Sequence, residues 1–190
     1  MRKGIAALIV LIVLLLLAGI AILGSYNGLI GLRENVTESM SEIDNQLQRR
    51  MDLIPNLVES VKGYMKFEEK VIKDISDARA RMAGAKDMKE KIAADEELTG
   101  ALGRLLVVVE NYPDLKANQS FLSLMDELAG TENRISVARM RYNESLKNFN
   151  VASKKFPGVL VANLFKIKVK EEYFQATKNA KEEVPKVEFD

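Results

Sequence analysis

SEIDNQLQRRMDLIPNLVESVKGY, residues 41–64, decides how the chain is read. Ile43, Leu47, Met51, Ile54, Val58 and Val61 recur every three or four positions, the signature of one buried helical face. Asp44, Gln46, Arg49, Arg50, Asp52 and Asn56 fill the remaining positions with polar groups. Upstream the pattern extends through Leu29, Leu32, Val36 and Met40, and downstream to Met65. The steps of 3, 4 and 4 make an eleven-residue period, which predicts a nearly straight or slightly right-handed helix. Pro55 lacks a backbone donor and is expected to kink this helix without ending it, since the apolar face stays in phase on both sides.

Toward the N-terminus, Met1-Arg2-Lys3 precedes an uncharged run from Gly4 to Gly24 containing IAALIVLIVLLLLAGIAIL. As a helix the run is about 31 Å long, the thickness of a hydrocarbon core. A cleavable signal peptide is the competing reading. The length of the run and its weak cleavage signal favour a retained transmembrane anchor in a cell membrane. Arg2 and Lys3 on one flank, against Arg33 with Glu34, Glu38 and Glu42 on the other, put the N-terminus in the cytoplasm and the body outside. No proline interrupts Gly24-Ser25, so the membrane helix is expected to continue into the soluble one.

Toward the C-terminus the pattern weakens after Ile75 to Met82, and polar Gly84 to Ala94 reads as a loop or frayed turn. A second helix is expected from Asp95, its N-cap, to Tyr112, with Leu98, Leu102, Leu105, Val109 and Tyr112 on one face, widened by Leu106 and Val108. Pro113 ends it. Asn118 or Ser120 then caps a third helix to about Phe156, with a near-heptad of Phe121, Leu124, Leu128, Ile135, Ala138, Tyr142, Leu146 and Phe149. The fold class is therefore all-α: an anchor (1–24), a long antiparallel bundle of three and at most four helices (25–156), and a tail (157–190). Three passes would leave Phe156 far from the bilayer. In the tail, VLVANLF reads as a short helix or turn, while Phe165 to Lys170 and the closing VPKVEF read as extended.

Composition narrows the chemistry. Among 190 residues, 28 Lys and Arg nearly balance 27 Asp and Glu, which argues against the basic face that nucleic acids require. The absence of Cys removes thiolate chemistry and disulfides, and the absence of His removes the usual general base and the commonest metal ligand. Carboxylate-bridged metal bundles rely on Glu-x-x-His pairs, which this chain lacks. No cofactor, metal or catalytic group is indicated.

The chain closely resembles the LemA family of bacterial membrane-anchored proteins. The resemblance lies in Tyr26-Asn27 through Leu32-Arg33, in the opening stretch at 41–64, in RLLVVVENYPDLKANQSFLSL at 104–124 and in ELAGTENRISVARMRYNESLKNFN at 127–150. Phe156-Pro157 and PKVEF at 185–189 continue it. The resemblance implies one membrane helix followed by a long antiparallel helical bundle, and no established activity. It also implies an extracellular N-terminus, opposite to the orientation that the flanking charges favour.

Two polar groups are candidate sites. Asp44, Gln46, Arg49, Arg50, Asp52 and Asn56 form one, and Glu132, Asn133, Arg134 and Arg139 the other, with Arg49 and Glu132 expected in a shared network. Facing each other, they would bind an anion or a partner helix, or, more plainly, fix the register of the bundle through interhelical hydrogen bonds and salt bridges. Lys154 to Lys170 combines five lysines with bulky apolar groups and is expected to cap the far end of the bundle. The function expected is a membrane-anchored structural or interaction protein, self-associating through its bundle. The alternative is an adaptor or sensory accessory for another envelope membrane protein. The expected partners are thus the bilayer, further copies of the chain, or such a membrane protein.

Overall fold

A computed structural model of the chain describes residues 2–64, 68–168 and 173–174. Every regular element among them is a helix: α1 (Arg2–Lys62), α2 (Glu69–Gly84), α3 (Met88–Val109), α4 (Pro113–Lys116), α5 (Gln119–Lys154) and α6 (Gly158–Leu164). The chain falls into two compact units, residues 40–138 and residues 1–39 with 139–190, and both α1 and α5 contribute to each.

The unit of residues 40–138 is an arrangement of four long helices, with the one-turn α4 between α3 and α5. Arg81 meets Glu97 and Arg104 meets Asp74, so α2 and α3 run antiparallel. Asp44 meets Lys91 and Arg50 meets Asp95, so α1 and α3 run parallel; Arg50 meets Glu132, and Tyr64 just past α1 meets Asn118 at the start of α5, so α5 runs antiparallel to α1. The helix number is the upper one expected, and two breaks explain it. The α1 helix ends at Lys62, not near Met82, and a separate α2 follows. Gly84 to Ala94 is not a loop: α2 reaches Gly84 and α3 starts at Met88. The true start signal is Asp87-x-x-Glu90. The Asp87 carboxylate accepts from Glu90 N at 2.8 Å, and the Glu90 carboxylate accepts from Lys86 N at 2.8 Å, a close relative of the capping box. Asp95, expected as an N-cap, lies inside α3 and is buried. Pro113 opens the short α4, where its missing donor costs nothing, and Asn118 caps α5 by accepting from Phe121 N at 3.1 Å. Leu106 is exposed, so it does not widen the buried face of α3.

Pro55 sits inside α1 without ending it. It cannot donate to the carbonyl of Met51, four residues earlier. Arg79 of α2 supplies the missing donor, its Nε lying 3.1 Å from Met51 O. The fault in one helix is thus closed by a side chain from the next.

In the unit of residues 1–39 and 139–190, α5 again runs antiparallel to α1. Ser39 and Ser145 share a hydroxyl hydrogen bond at 3.0 Å, and Leu29 forms a buried cluster with Val161 and Ala162 of α6, joined by Tyr26, Ala152 and Ile167. The Tyr26 and Phe165 rings meet with centroids 4.7 Å apart and planes tilted by 50°. Phe156 therefore does not lie at the end far from the apolar run: the segment after α5 returns to residues just past Gly24. With α2 as an extra helix, α5 travels in the opposite direction to the one expected.

The turn from α5 into α6 depends on Gly158, where a Cβ would lie 2.1 Å from the backbone oxygen of Ala152. The α6 helix ends in a Schellman motif: Ile167 N donates to Ala162 O at 2.9 Å and Lys166 N to Asn163 O at 3.4 Å. Lys166 takes the left-handed position at φ 51°, so the expected extended run opens with a turn at residues 165–166. Residues 169–170 of that run, Met65 and the closing VPKVEF lie outside the described residues.

Candidate functional site: a buried ionic contact and an exposed foot

The helical face that α1 buries between residues 43 and 61 is Ile43, Leu47, Arg50, Ile54, Leu57 and Val61, at steps of 4, 3, 4, 3 and 4. An arginine occupies a core position of a heptad. Counting apolar residues alone passes over it and takes Met51 and Val58 instead, which produces the apparent eleven-residue period. Met51 is buried as well, whereas Val58 is half-buried. On α3 the matching stripe is Asp95, Leu98, Leu102, Leu105 and Val109, with a carboxylate in the corresponding role. Arg50 is 2% exposed and Asp95 1%. Their contact, Nη1 to Oδ1, measures 2.6 Å.

The same Arg50 Nη1 donates to Glu132 on α5, whose side chain is 41% exposed. Arg50 therefore joins three helices of the unit, with one carboxylate shut away from water and one at its edge. Ionic groups at core positions cost desolvation energy that only well-placed partners offset, and a shifted register would leave them unpaired. Thr131, also fully buried, satisfies its hydroxyl locally by donating to Leu128 O at 2.7 Å.

The other candidate residues are spread around this contact. Arg49 bonds to Glu127 at 2.6 Å rather than to Glu132, with both side chains largely exposed. Asp44 receives Lys91, and Asp52 receives Gln48 within the same helix at 2.8 Å. Asn56, Asn133 and Arg134 are exposed, and Gln46 is half-buried. Arg139 is half-buried in the unit of residues 1–39 and 139–190. Sequence reasoning missed Asp95 as a site residue, although its place in the 3, 4 stripe ahead of Leu98 was available as a signal.

The second feature lies in the unit of residues 1–39 and 139–190. The α6 helix buries Gly158, Val161 and Ala162 and leaves Leu160 and Leu164 open on the other side. An open groove of about 400 Å³ at the end of α5 is lined by Asn150, Val151, Lys154, Lys155 and Tyr173. Tyr173 accepts from Asn150 Nδ2 at 3.2 Å, and Asn143 brackets the backbone of Phe174 with two hydrogen bonds, at 2.8 and 2.9 Å. Among the described residues no three carboxylates gather into a metal-binding group.

The α1 helix contains an apolar window of mean hydropathy 3.4, none of it buried, long and apolar enough to cross a membrane. Comparison with known proteins fits the same outline. Magnetosome protein MamQ 2 of Paramagnetospirillum magneticum is 28% identical over 92% of this chain and 74% of its own length. Magnetosome protein MamQ of Magnetospirillum gryphiswaldense is 27% identical over 78% of this chain and 64% of its own. Protein LemA of Metamycoplasma hominis is 25% identical over 67% of this chain and 58% of its own. The LemA family model matches residues 39–189, which takes in the buried ionic contact, α6 and the tail; the chain belongs to the LemA family.

Proposed function

We propose that this protein is a membrane-anchored, non-enzymatic structural component that self-associates through its helical bundle. The observation that carries the reading is α1 itself. One unbroken helix of 61 residues begins with an unburied apolar run and ends among the packed helices of residues 40–138. Such a helix tethers a bundle to a bilayer. On α3, Leu105 and Val109 are buried while Leu106 and Val107 are 48% and 72% exposed, an apolar surface available to another copy. The absence of Cys and His, and relatives whose names state no reaction, support a non-catalytic role.

Light scattering on the full-length protein in detergent tests the proposal. A defined oligomer that Val107→Glu dissociates is expected. A monomeric particle would end the self-association reading and favour an adaptor that binds another envelope membrane protein. The flanking charges support a single pass with the N-terminus in the cytoplasm. A cysteine placed at Lys86 should then react with an impermeant thiol reagent in intact spheroplasts, and protection until lysis would reverse the orientation.

A further inference from the structure

The tail segment carries apolar side chains as open as those of the span. Phe156 is 80% exposed, Leu160 59%, Leu164 67% and Phe165 49%, against 37–67% for the exposed large residues between Ile5 and Leu23. Their position says what covers them. Phe165 packs against Tyr26, two residues past Gly24, and the buried side of α6 rests on Leu29. At 1.5 Å per residue these contacts lie about 3 and 8 Å beyond the end of the apolar run. The headgroup layer on each side of a hydrocarbon core is about 5–8 Å thick. Exposed Leu164 and Phe165 therefore stand at the depth of the membrane interface, where an amphipathic helix buries its apolar face.

Charge points the same way. Between Lys154 and Lys168 the sequence holds four lysines and no Asp or Glu, and residues 25–33 of α1 add Arg33 and no acid. Lys154, Lys155, Lys166 and Lys168 are exposed. Lysines flanking an interfacial apolar face are attracted to anionic headgroups.

We propose that α6 and the turn after it form a foot resting on the bilayer that α1 spans, with Phe156, Leu160, Leu164 and Phe165 in the interfacial layer and the lysines on anionic headgroups. The proposal rests on the reading of Gly4 to Gly24 as a membrane anchor. The foot would fix the tilt of α1 by giving the protein a second point of membrane contact.

The absence of cysteine allows unique labelling. Full-length Leu14→Cys, Leu164→Cys and Val107→Cys, each carrying an environment-sensitive fluorophore, would be placed in vesicles of zwitterionic lipid with and without anionic lipid. The label at Leu164 should be blue-shifted and quenched more by lipid spin-labelled near the headgroup than by lipid labelled near the chain end. The label at Leu14 should show the reverse preference, and that at Val107 no lipid quenching. Anionic lipid should strengthen quenching at Leu164, and changing the four exposed lysines to Gln should abolish that increment. Quenching at Leu14 without quenching at Leu164 would overturn the foot and leave the anchor standing. A blue shift at Leu164 without lipid quenching would also overturn it, by showing a protein surface, such as a second copy, as the cover. An unquenched label at Leu14 would remove the anchor and the foot together.

Discussion

Arg50 and Asp95 allow a quantitative test of how the bundle is held in register. Both side chains are at most 3% exposed, and they meet at 2.6 Å. Removing one partner leaves the other charge buried, which typically costs about 3–5 kcal/mol. Asp95→Asn should fall near the lower end, about 3 kcal/mol, because Glu132 still accepts from Arg50 at the water-exposed edge. Arg50→Met should lie near the upper end, since it leaves the Asp95 carboxylate in a 1% exposed position. The double change Arg50→Met with Asp95→Leu fills the same space with apolar atoms and should come within about 1 kcal/mol of the parent, because a well-packed apolar replacement of a buried pair is often neutral. The cycle would then yield a coupling of several kcal/mol. Against a total stability of about 5–15 kcal/mol, either single change should shift the unfolding midpoint plainly. The assay is urea unfolding of the full-length protein in mild detergent, followed by circular dichroism. Single changes that each cost under about 1 kcal/mol, or costs that simply add, would show that the pair is not desolvated and refute the reasoning.

Three further outcomes follow from the local geometry. Arg79→Ala should cost about 1.5–3 kcal/mol by orphaning Met51 O, but under about 1 kcal/mol beside Pro55→Ala, whose restored N–H replaces the lost donor; equal costs in both backgrounds would break that link. Gly158→Ala should destabilise by about 1–3 kcal/mol because its Cβ meets backbone at 2.1 Å, whereas Gly103→Ala, with nothing within 4 Å on α3, should stabilise by about 0.5–1 kcal/mol; thermal unfolding of the pair checks both signs. Lys166→Gly should raise stability by about 1 kcal/mol by relieving the left-handed backbone at φ 51°, while Lys166→Ala, which removes the charge and keeps the strain, should not; a gain in both would point to charge instead.

The sequence by itself determined the class of the protein. An uncharged run of 21 residues, three- and four-residue apolar spacing and the near absence of proline leave long helices as the solution, because only helices match that period. Asn118 as a cap, the short helix after Pro157 and the buried positions of α5 were legible for the same reason: each is a local signal. The break after Lys62 and the start of α3 at Met88 were harder, since Gly63-Tyr64 and Asp87-x-x-Glu90 are weak marks inside chains of good helix formers. Two matters were decided by tertiary structure alone. Arg50 and Asp95 look like surface residues until the packed helices bring them together, a contact 45 positions apart in the chain. The return of α6 to Tyr26 and Leu29 depends on how many times the chain reverses, so one extra helix moves the tail from the far end to the root of the apolar run. Local spacing encodes which face of a helix is buried; only the packed helices decide which faces meet and where the chain ends up.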